Sequence, residues 1–345
     1  MMSEEQIIQA INGAASLQEA LQRVYAGNDK TREDEFFMAV RLYFNTVRGC
    51  LTCQLHGQIG KVGNADTGVN SEIADLLIIS YSRMLPRHRF LPCMKINFLQ
   101  AKKVELDNTE YGLIAPQQGG KPKFVFHLDS EQYKLLKDCP KINPLKTGLP
   151  DNILYDSCSP AITSYGVFYK MHNRRAVNMA FEITQLLRIA SLDDLLQKNS
   201  RVKCYFDSTD SQYGMLRWRK AVRYFHHHPC CRLYHHYGHC DLLSTVEANE
   251  FEDALYHYKI GSPICGKDAR RLADAVINKY LPDPHVGADF KDFVQNYLIT
   301  EDHDRRLDGS NDMPIEVDEM FRELGAPKYL LLVNVDAIER RRLIE

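Results

Sequence analysis

Three polar residues placed at the ends of two apolar runs have the types and spacing for hydrolysis of a phosphodiester. Asp75 sits in the run Ala74-Asp75-Leu76-Leu77-Ile78-Ile79, and Gln100 and Lys102 close the run that begins near Leu91. In an extended strand the side chains alternate, so Met94, Ile96, Phe98, Gln100 and Lys102 share one face. That face is apolar until its end. Paired with a strand that begins at Asp75, it would gather a carboxylate, an amide oxygen and an ammonium at one end of a hairpin. Phosphodiester hydrolysis asks for a Lewis acid on the phosphate, an activated water and a cation near that water. Mg²⁺ or Mn²⁺ would suit the oxygen donors of Asp75 and Gln100, since Mg²⁺ keeps several of its waters and needs few protein ligands. Lys102 would orient the water or stabilise the developing charge. The plainer alternative makes Asp75 the residue after a turn, Gln100 and Lys102 the solvated end of a strand, and Lys102-Lys103 a surface pair.

A second acid stands upstream. Thr31-Arg32-Glu33-Asp34 opens a segment in which Phe36, Phe37, Val40, Tyr43, Phe44 and Val47 recur at spacings of three and four, the pattern of a helix with one apolar face. Projected at about 100° per residue, Glu33 falls near the middle of that face and Glu35 almost opposite it. Glu33 is therefore either a metal ligand facing a sheet or a first-turn carboxylate favoured by the helix dipole.

Other constellations compete. His226-His227-His228-Pro229-Cys230-Cys231 and the residues up to Cys240 form a dense group of zinc-ligand types. Their spacing is not that of paired Cys-x-x-Cys knuckles or of a two-Cys, two-His finger, so packing residues and buried thiols are expected, with structural zinc as the alternative. Cys50-Leu51-Thr52-Cys53, with His56 nearby, is a lone Cys-x-x-Cys and is expected to pack in the core. Arg217-Trp218-Arg219-Lys220 followed by Arg223-Tyr224-Phe225 interleaves bases and aromatics. Such a stretch either lines a nucleic-acid groove through Arg217, Arg219 and Lys220 or is an amphipathic helix with a solvated basic face. No Gly-x-x-x-x-Gly-Lys loop is present to cradle nucleotide phosphates, and no nucleophile context of a Cys/His protease is recognisable.

The elements that must position these residues follow from local pattern. Ser3 with Gln6, and Ser16 with Glu19, have the capping-box spacing that starts a helix. Buried-strand patterns are expected over 74–80 and 91–103, joined by the polar turn Leu85-Pro86-Arg87-His88-Arg89. Further strands are expected over 123–127, 162–170 and 329–335, and helices over 130–137, 174–189, 267–280 and 289–298. The order is mixed α/β. A change of character near Arg201 suggests a boundary, dividing the chain into 1–200 and a mainly helical portion over 201–345.

Composition bounds the rest. Of the 345 residues 44% are hydrophobic, an ordinary share for a globular protein. The net charge of −2 excludes a uniformly basic coat, so nucleic-acid binding has to be focal. No apolar run approaches the roughly 20 residues of a membrane span, and Met1-Met2-Ser3-Glu4-Glu5 does not read as a signal peptide. A cytoplasmic setting, no membrane association and reduced thiols for the ten cysteines are expected.

Asp75 followed by Gln100-Ala101-Lys102 resembles the PD-(D/E)xK, or restriction-endonuclease-like, nuclease superfamily in its Gln-x-Lys, Mrr-like variant. The apolar context Glu72-Ile73-Ala74-Asp75-Leu76-Leu77-Ile78 and the helix-borne Glu33 add to the likeness, which covers Glu33 to Lys102 and could extend to about Lys170. Gln in place of the second acid departs from the commonest pattern. The resemblance implies a mixed central sheet flanked by helices in 1–200 and Mg²⁺-dependent hydrolysis of DNA. It makes Asp75, Gln100, Lys102 and Glu33 the catalytic residues, the first two and Glu33 as metal ligands and Glu72 as an alternative. It also implies a role in defence against phage. Lys103 would join the DNA contacts, and restraint of such an activity would come from a homo-oligomer or a regulatory partner through 201–345. The other reading is a catalytically silent protein of the same fold that binds nucleic acid or a partner.

Overall fold

The structure is a computed structural model. It describes residues 2–25, 33–54, 62–63, 70–71, 73–83, 94–103, 113–114, 123–138, 162–170, 177–184, 187–189, 193, 196–197, 200–207, 246–264, 266–298 and 327–342. Glu72, Arg217, Arg219, Lys220 and the segment 226–240 lie outside these residues, as does the side chain of Glu33.

The chain opens with helices α1 (Glu4–Ile11), α2 (Leu17–Tyr25) and α3 (Glu33–Thr46), followed by strand β1 (Cys50–Gln54) and the short pair β2 (Val62–Gly63) and β3 (Asn70–Ser71). Next come β4 (Leu76–Tyr81), β5 (Met94–Lys103), β6 (Leu113–Ile114), β7 (Lys123–Asp129), α4 (Ser130–Asp138), β8 (Thr163–Lys170) and β9 (Val177–Ile183). The remainder is β10 (Arg188–Ile189), β11 (Arg201–Asp207), β12 (Val246–Glu247), α5 (Ala248–Tyr256), β13 (Ser262–Ile264), α6 (Gly266–Tyr280), α7 (Ala288–Tyr297), β14 (Tyr329–Asn334) and α8 (Val335–Arg342).

The capping box at Ser3 forms as its spacing demands: Ser3 Oγ accepts from the Gln6 N–H, and the Gln6 side chain accepts from the Ser3 N–H. At the start of α2 the Glu19 N–H donates to Ser16 Oγ at 3.2 Å. The run 74–80 becomes β4, in which all six residues are buried, and 91–103 becomes β5, buried from Met94 to Ala101. The two pair antiparallel with Leu76 opposite Leu99. One expectation fails: 177–183 is not helical but a strand, β9, buried at every position and antiparallel to β8. A segment covered on both faces loses the alternation that marks a strand, and its apolar residues then imitate helical spacing.

An eight-stranded mixed sheet organises the molecule, in the order β1-β14-β4-β5-β8-β9-β12, with β13 paired to β5. β14 is parallel to β4 and antiparallel to β1, so a strand from the last twenty residues lies between two from the first hundred. The expected division at 200/201 therefore cuts across a single sheet. Its physical cause is that β4 is buried on both faces and has backbone groups to pair along both edges, and β5 serves only one of them.

Both faces of the sheet are covered. Leu76, Ile78, Leu99, Ala101 and Phe168 pack with α1, α2, α3, α5 and α8; Leu77, Ile79, Met94, Ile96, Phe98, Tyr165 and Val167 pack with α4, α6, α7 and the small sheet β10-β11-β7-β6. Each apolar side chain fully buried this way contributes about 1.5–3 kcal/mol. α3 packs against β1 and β5 of the sheet and also against α1 and α2, and α2 itself rests on β9. For that reason Glu35, projected away from the apolar face, is 2% exposed and accepts a hydrogen bond from the Met2 N–H.

Candidate active site at the end of the β4–β5 hairpin

Asp75 stands one residue before β4, just past the Leu76–Leu99 pair. Its backbone continues the sheet: its N–H donates to Leu99 O at 3.1 Å, and its carbonyl accepts from the Tyr329 N–H at 3.0 Å. The carboxylate turns toward β5. Oδ2 accepts from the Ala101 N–H at 2.8 Å and from the Gln100 side-chain amide. The acid thus acts in the place of a strand carbonyl where the ladder ends, which supplies a purely structural reason for its presence.

Gln100 has no such simple reason. It is 2% exposed at the end of an apolar strand face, and its Oε1 accepts from Gln132 Nε2 at 2.9 Å. Gln132 lies in the first turn of α4, where its backbone N–H is capped by Asp129 Oδ1 at 2.8 Å. The result is a chain of three side chains, Asp75–Gln100–Gln132, from three different elements. Burying two amides costs free energy unless both ends are hydrogen-bonded.

The register extends this polar row. Gln100 pairs with Tyr165 of β8, and Tyr165 with Glu182 of β9; both partners are fully buried. Burial holds the Tyr165 phenol well above its ordinary value, and Cys204, Tyr133, Asp129 and Asp75 push in the same direction. The Tyr165 hydroxyl is buried without a hydrogen-bond partner among the described residues.

Lys102 follows two residues after Gln100 on the same face of β5 and is half-buried, as is Lys103 on the opposite face. Glu33 begins α3, and the direction of that helix is fixed by rings in its next turn. Phe37 packs on Tyr329 at 5.4 Å between centroids, and Phe36 on Phe168 at 5.3 Å. Tyr329 pairs with Leu76, and Phe168 with Lys103. The first turn of α3 therefore lies at the same end of the sheet as Asp75, Gln100 and Lys102, but on the face of Leu99 and Ala101, opposite the one that carries Gln100 and Lys102.

Among the described residues the polar groups that meet here are the Asp75 carboxylate, the Gln100 amide, which turns its NH₂ toward that carboxylate, and the Ala101 N–H, so the carboxylate alone offers oxygen to a hard cation. Asp75 supplies the only carboxylate whose contacts with Gln100 are described, and no group of three or more His, Cys, Asp or Glu residues gathers as a metal site among the described residues.

Cys50 and Cys53 do not converge. Both are in β1, where a spacing of three sends them to opposite faces, and they pack against different halves of the core. Burial raises both thiols, and Cys204 in β11 is pushed up by burial to about 12. All three are free thiols. Among the described residues, no helix is long and apolar enough to cross a membrane.

Sequence reasoning missed Gln132 and Tyr165. Asp129-Ser130-Glu131-Gln132 carries a readable capping signal, but nothing in it shows that the Gln132 side chain reaches Gln100. No family model matches the chain, and no curated protein or solved structure matches it either.

Proposed function

We propose that this protein is a Mg²⁺- or Mn²⁺-dependent nuclease that hydrolyses DNA, built on a restriction-endonuclease-like core. The observation that carries the proposal is the contact of the Asp75 carboxylate with Gln100 at the end of an antiparallel hairpin, with Lys102 two residues further on the same face. The element order supports it: a helix bearing Glu33, the hairpin, then α4 leading to β8 parallel to β5. In this reading Asp75 and Gln100 would hold the cation, and Glu33 would have to reach it round the end of the sheet from the opposite face. When bound, the cation neutralises phosphate charge and acidifies a water. Lys102 places its ammonium beside the developing charge, and the buried surroundings of Gln100 keep bulk water from weakening that interaction. Lys103, together with Arg217, Arg219 and Lys220, would hold the DNA backbone, and residues beyond 200 would restrain the activity through a partner or a second copy.

One observation favours a catalytically silent module that binds nucleic acid or a partner: Asp75 Oδ2 is already satisfied by two neutral N–H donors. Plasmid nicking separates the two readings. The wild-type chain is expected to nick supercoiled DNA with Mg²⁺ and to stop with a chelator, and Asp75→Ala and Lys102→Ala to be slower by ~10²-fold or more. Equal cleavage by all three proteins would sink the nuclease reading, and DNA binding without cleavage by the wild type would establish the silent one.

A further inference from the structure

We propose that Asn45 guards the open edge of the sheet and keeps it from pairing with a second copy of this chain. β1 stands at one end of the eight-stranded order and, among the described residues, pairs with β14 alone. The Asn334 N–H donates to Gly49 O at 2.7 Å, which fixes the alternation of the antiparallel ladder. Leu51 and Cys53 turn their main-chain groups to β14, and Cys50, Thr52 and Gln54 turn theirs outward. Such a row is a template for another strand. The end of α3 closes it. The Cys50 N–H donates to Val47 O at 3.0 Å, so the turn between α3 and β1 fills the lane beside Cys50. The Thr52 N–H donates to Asn45 Oδ1 at 2.8 Å, and the Thr52 hydroxyl meets the same oxygen at 2.8 Å. One exposed side chain thus takes the place of a neighbouring strand's carbonyl.

A second copy is the strand that this edge fits. With the lane beside Cys50 filled, Thr52 and Gln54 remain for a ladder. An antiparallel copy matches them by setting each Thr52 opposite Gln54 and Cys53 opposite Cys53, a closed two-fold contact in which both rows are the same. Each Thr52 N–H then meets a Gln54 carbonyl in place of Asn45. When the Asn45 amide is removed, the Thr52 hydroxyl keeps another acceptor in Arg41 O at 3.4 Å, but the N–H has no other among the described residues. While Asn45 is in place, pairing only exchanges one bond for another. A second copy that restrains the activity has therefore to dock elsewhere on the chain.

The test is oxidation of the full-length chain with diamide, followed by peptide mass spectrometry for a Cys53–Cys53 disulfide. In the paired arrangement Cys53 occupies a position that the new ladder bonds do not bridge, where opposite Cα atoms approach to about 4.5 Å, within disulfide reach. In Asn45→Ala the cross-linked fraction is expected to rise about tenfold or more over the wild type, since each copy gains a bond that the free variant lacks. Asn45→Asp keeps an acceptor for Thr52 and should stay at the wild-type level. Thr52→Pro added to Asn45→Ala removes the N–H at an edge position, where proline is tolerated, and should return the cross-link to that level. No rise in Asn45→Ala, an equal rise in Asn45→Asp, or a cross-link that persists in the double variant overturns the guard. Loss of the thermal transition of Asn45→Ala in far-ultraviolet dichroism overturns it too, because Asn45 would then hold the fold and not its edge.

Discussion

Glu252 shows how this chain holds a buried carboxylate with neutral donors. Its Oε1 accepts from the Tyr43 and Tyr256 hydroxyls at 2.6 and 2.8 Å, and its Oε2 from the Leu17 N–H at 2.8 Å. Leu17 is the first residue of α2, so the anion also faces the positive end of a helix. Glu252→Ala leaves two phenols and a helix N–H without their acceptor, which is expected to cost about 2–4 kcal/mol in urea unfolding. Glu252→Gln, which keeps the shape and one acceptor oxygen, should cost less; equal stability of the Ala variant and the wild type would show that the network adds nothing. Asp75 follows the same economy with Gln100 and Ala101, and it differs in where its partner leads. Glu252 ends on groups whose polarity is fixed or free to rotate, whereas Asp75 passes through two amides. The residues of the site that could be read from the sequence are those whose local context announces them: an Asp at the head of an apolar run, and a Gln and a Lys at the tail of another. Gln132 reaches Gln100 from α4, and Tyr165 is set beside it by the parallel register of β5 with β8, both fixed by tertiary packing alone.

α6 and α7 are legible because one solvated face keeps their periodicity, and β4, though buried on both faces, because its apolar run is short and unbroken. β9 is equally buried, but Asn178 and Glu182 interrupt its apolar residues, and the spacing left imitates a helix. The position of β14 is the largest feature beyond local reading. Its sequence, Tyr329-Leu330-Leu331-Leu332-Val333-Asn334, announces a strand, but nothing local assigns it between β1 and β4. The following helix fastens it there, since Asp336 accepts from the Ser82 hydroxyl and, at 2.6 Å, from the Arg83 N–H at the end of β4. A chain ending at residue 200 lacks β14, and with it the ladder partners of β1 and of one edge of β4; it also lacks β12 and β13. Unpaired backbone groups on a buried strand cost about 1–3 kcal/mol each, against a total stability of about 5–15 kcal/mol. The fragment 1–200 is therefore expected to show no cooperative urea transition in circular dichroism. A sigmoidal transition with wild-type midpoint would mean that the sheet does not depend on its C-terminal strand.

At the scale of the whole molecule, both faces of the sheet enclose phenols. Tyr43, Tyr81, Tyr165, Tyr169, Tyr256 and Tyr280 all have their ionisation raised above the ordinary value of 10.0, in each case chiefly by burial. For Tyr43, Tyr169 and Tyr256 the neighbouring carboxylates of Glu252 or Glu247 add to it. An acid whose ionisation is raised by folding holds its proton in the native chain and releases it on unfolding. Below pH ~10 both states are protonated and these groups leave stability unchanged; above it the unfolded state binds fewer protons, and stability falls as pH rises. Each such phenol contributes a slope of up to roughly 1.4 kcal/mol per pH unit in that window. Six of them acting together, with their total slope, exceed what a protein of ordinary stability withstands over two pH units. Phenolate absorbance is therefore expected to rise in two phases, exposed tyrosines first near pH 10 and the buried set later, together with the loss of the far-ultraviolet dichroism. Ionisation of all eighteen tyrosines near pH 10 with the dichroism intact would contradict the packing of phenols on both sides of the sheet.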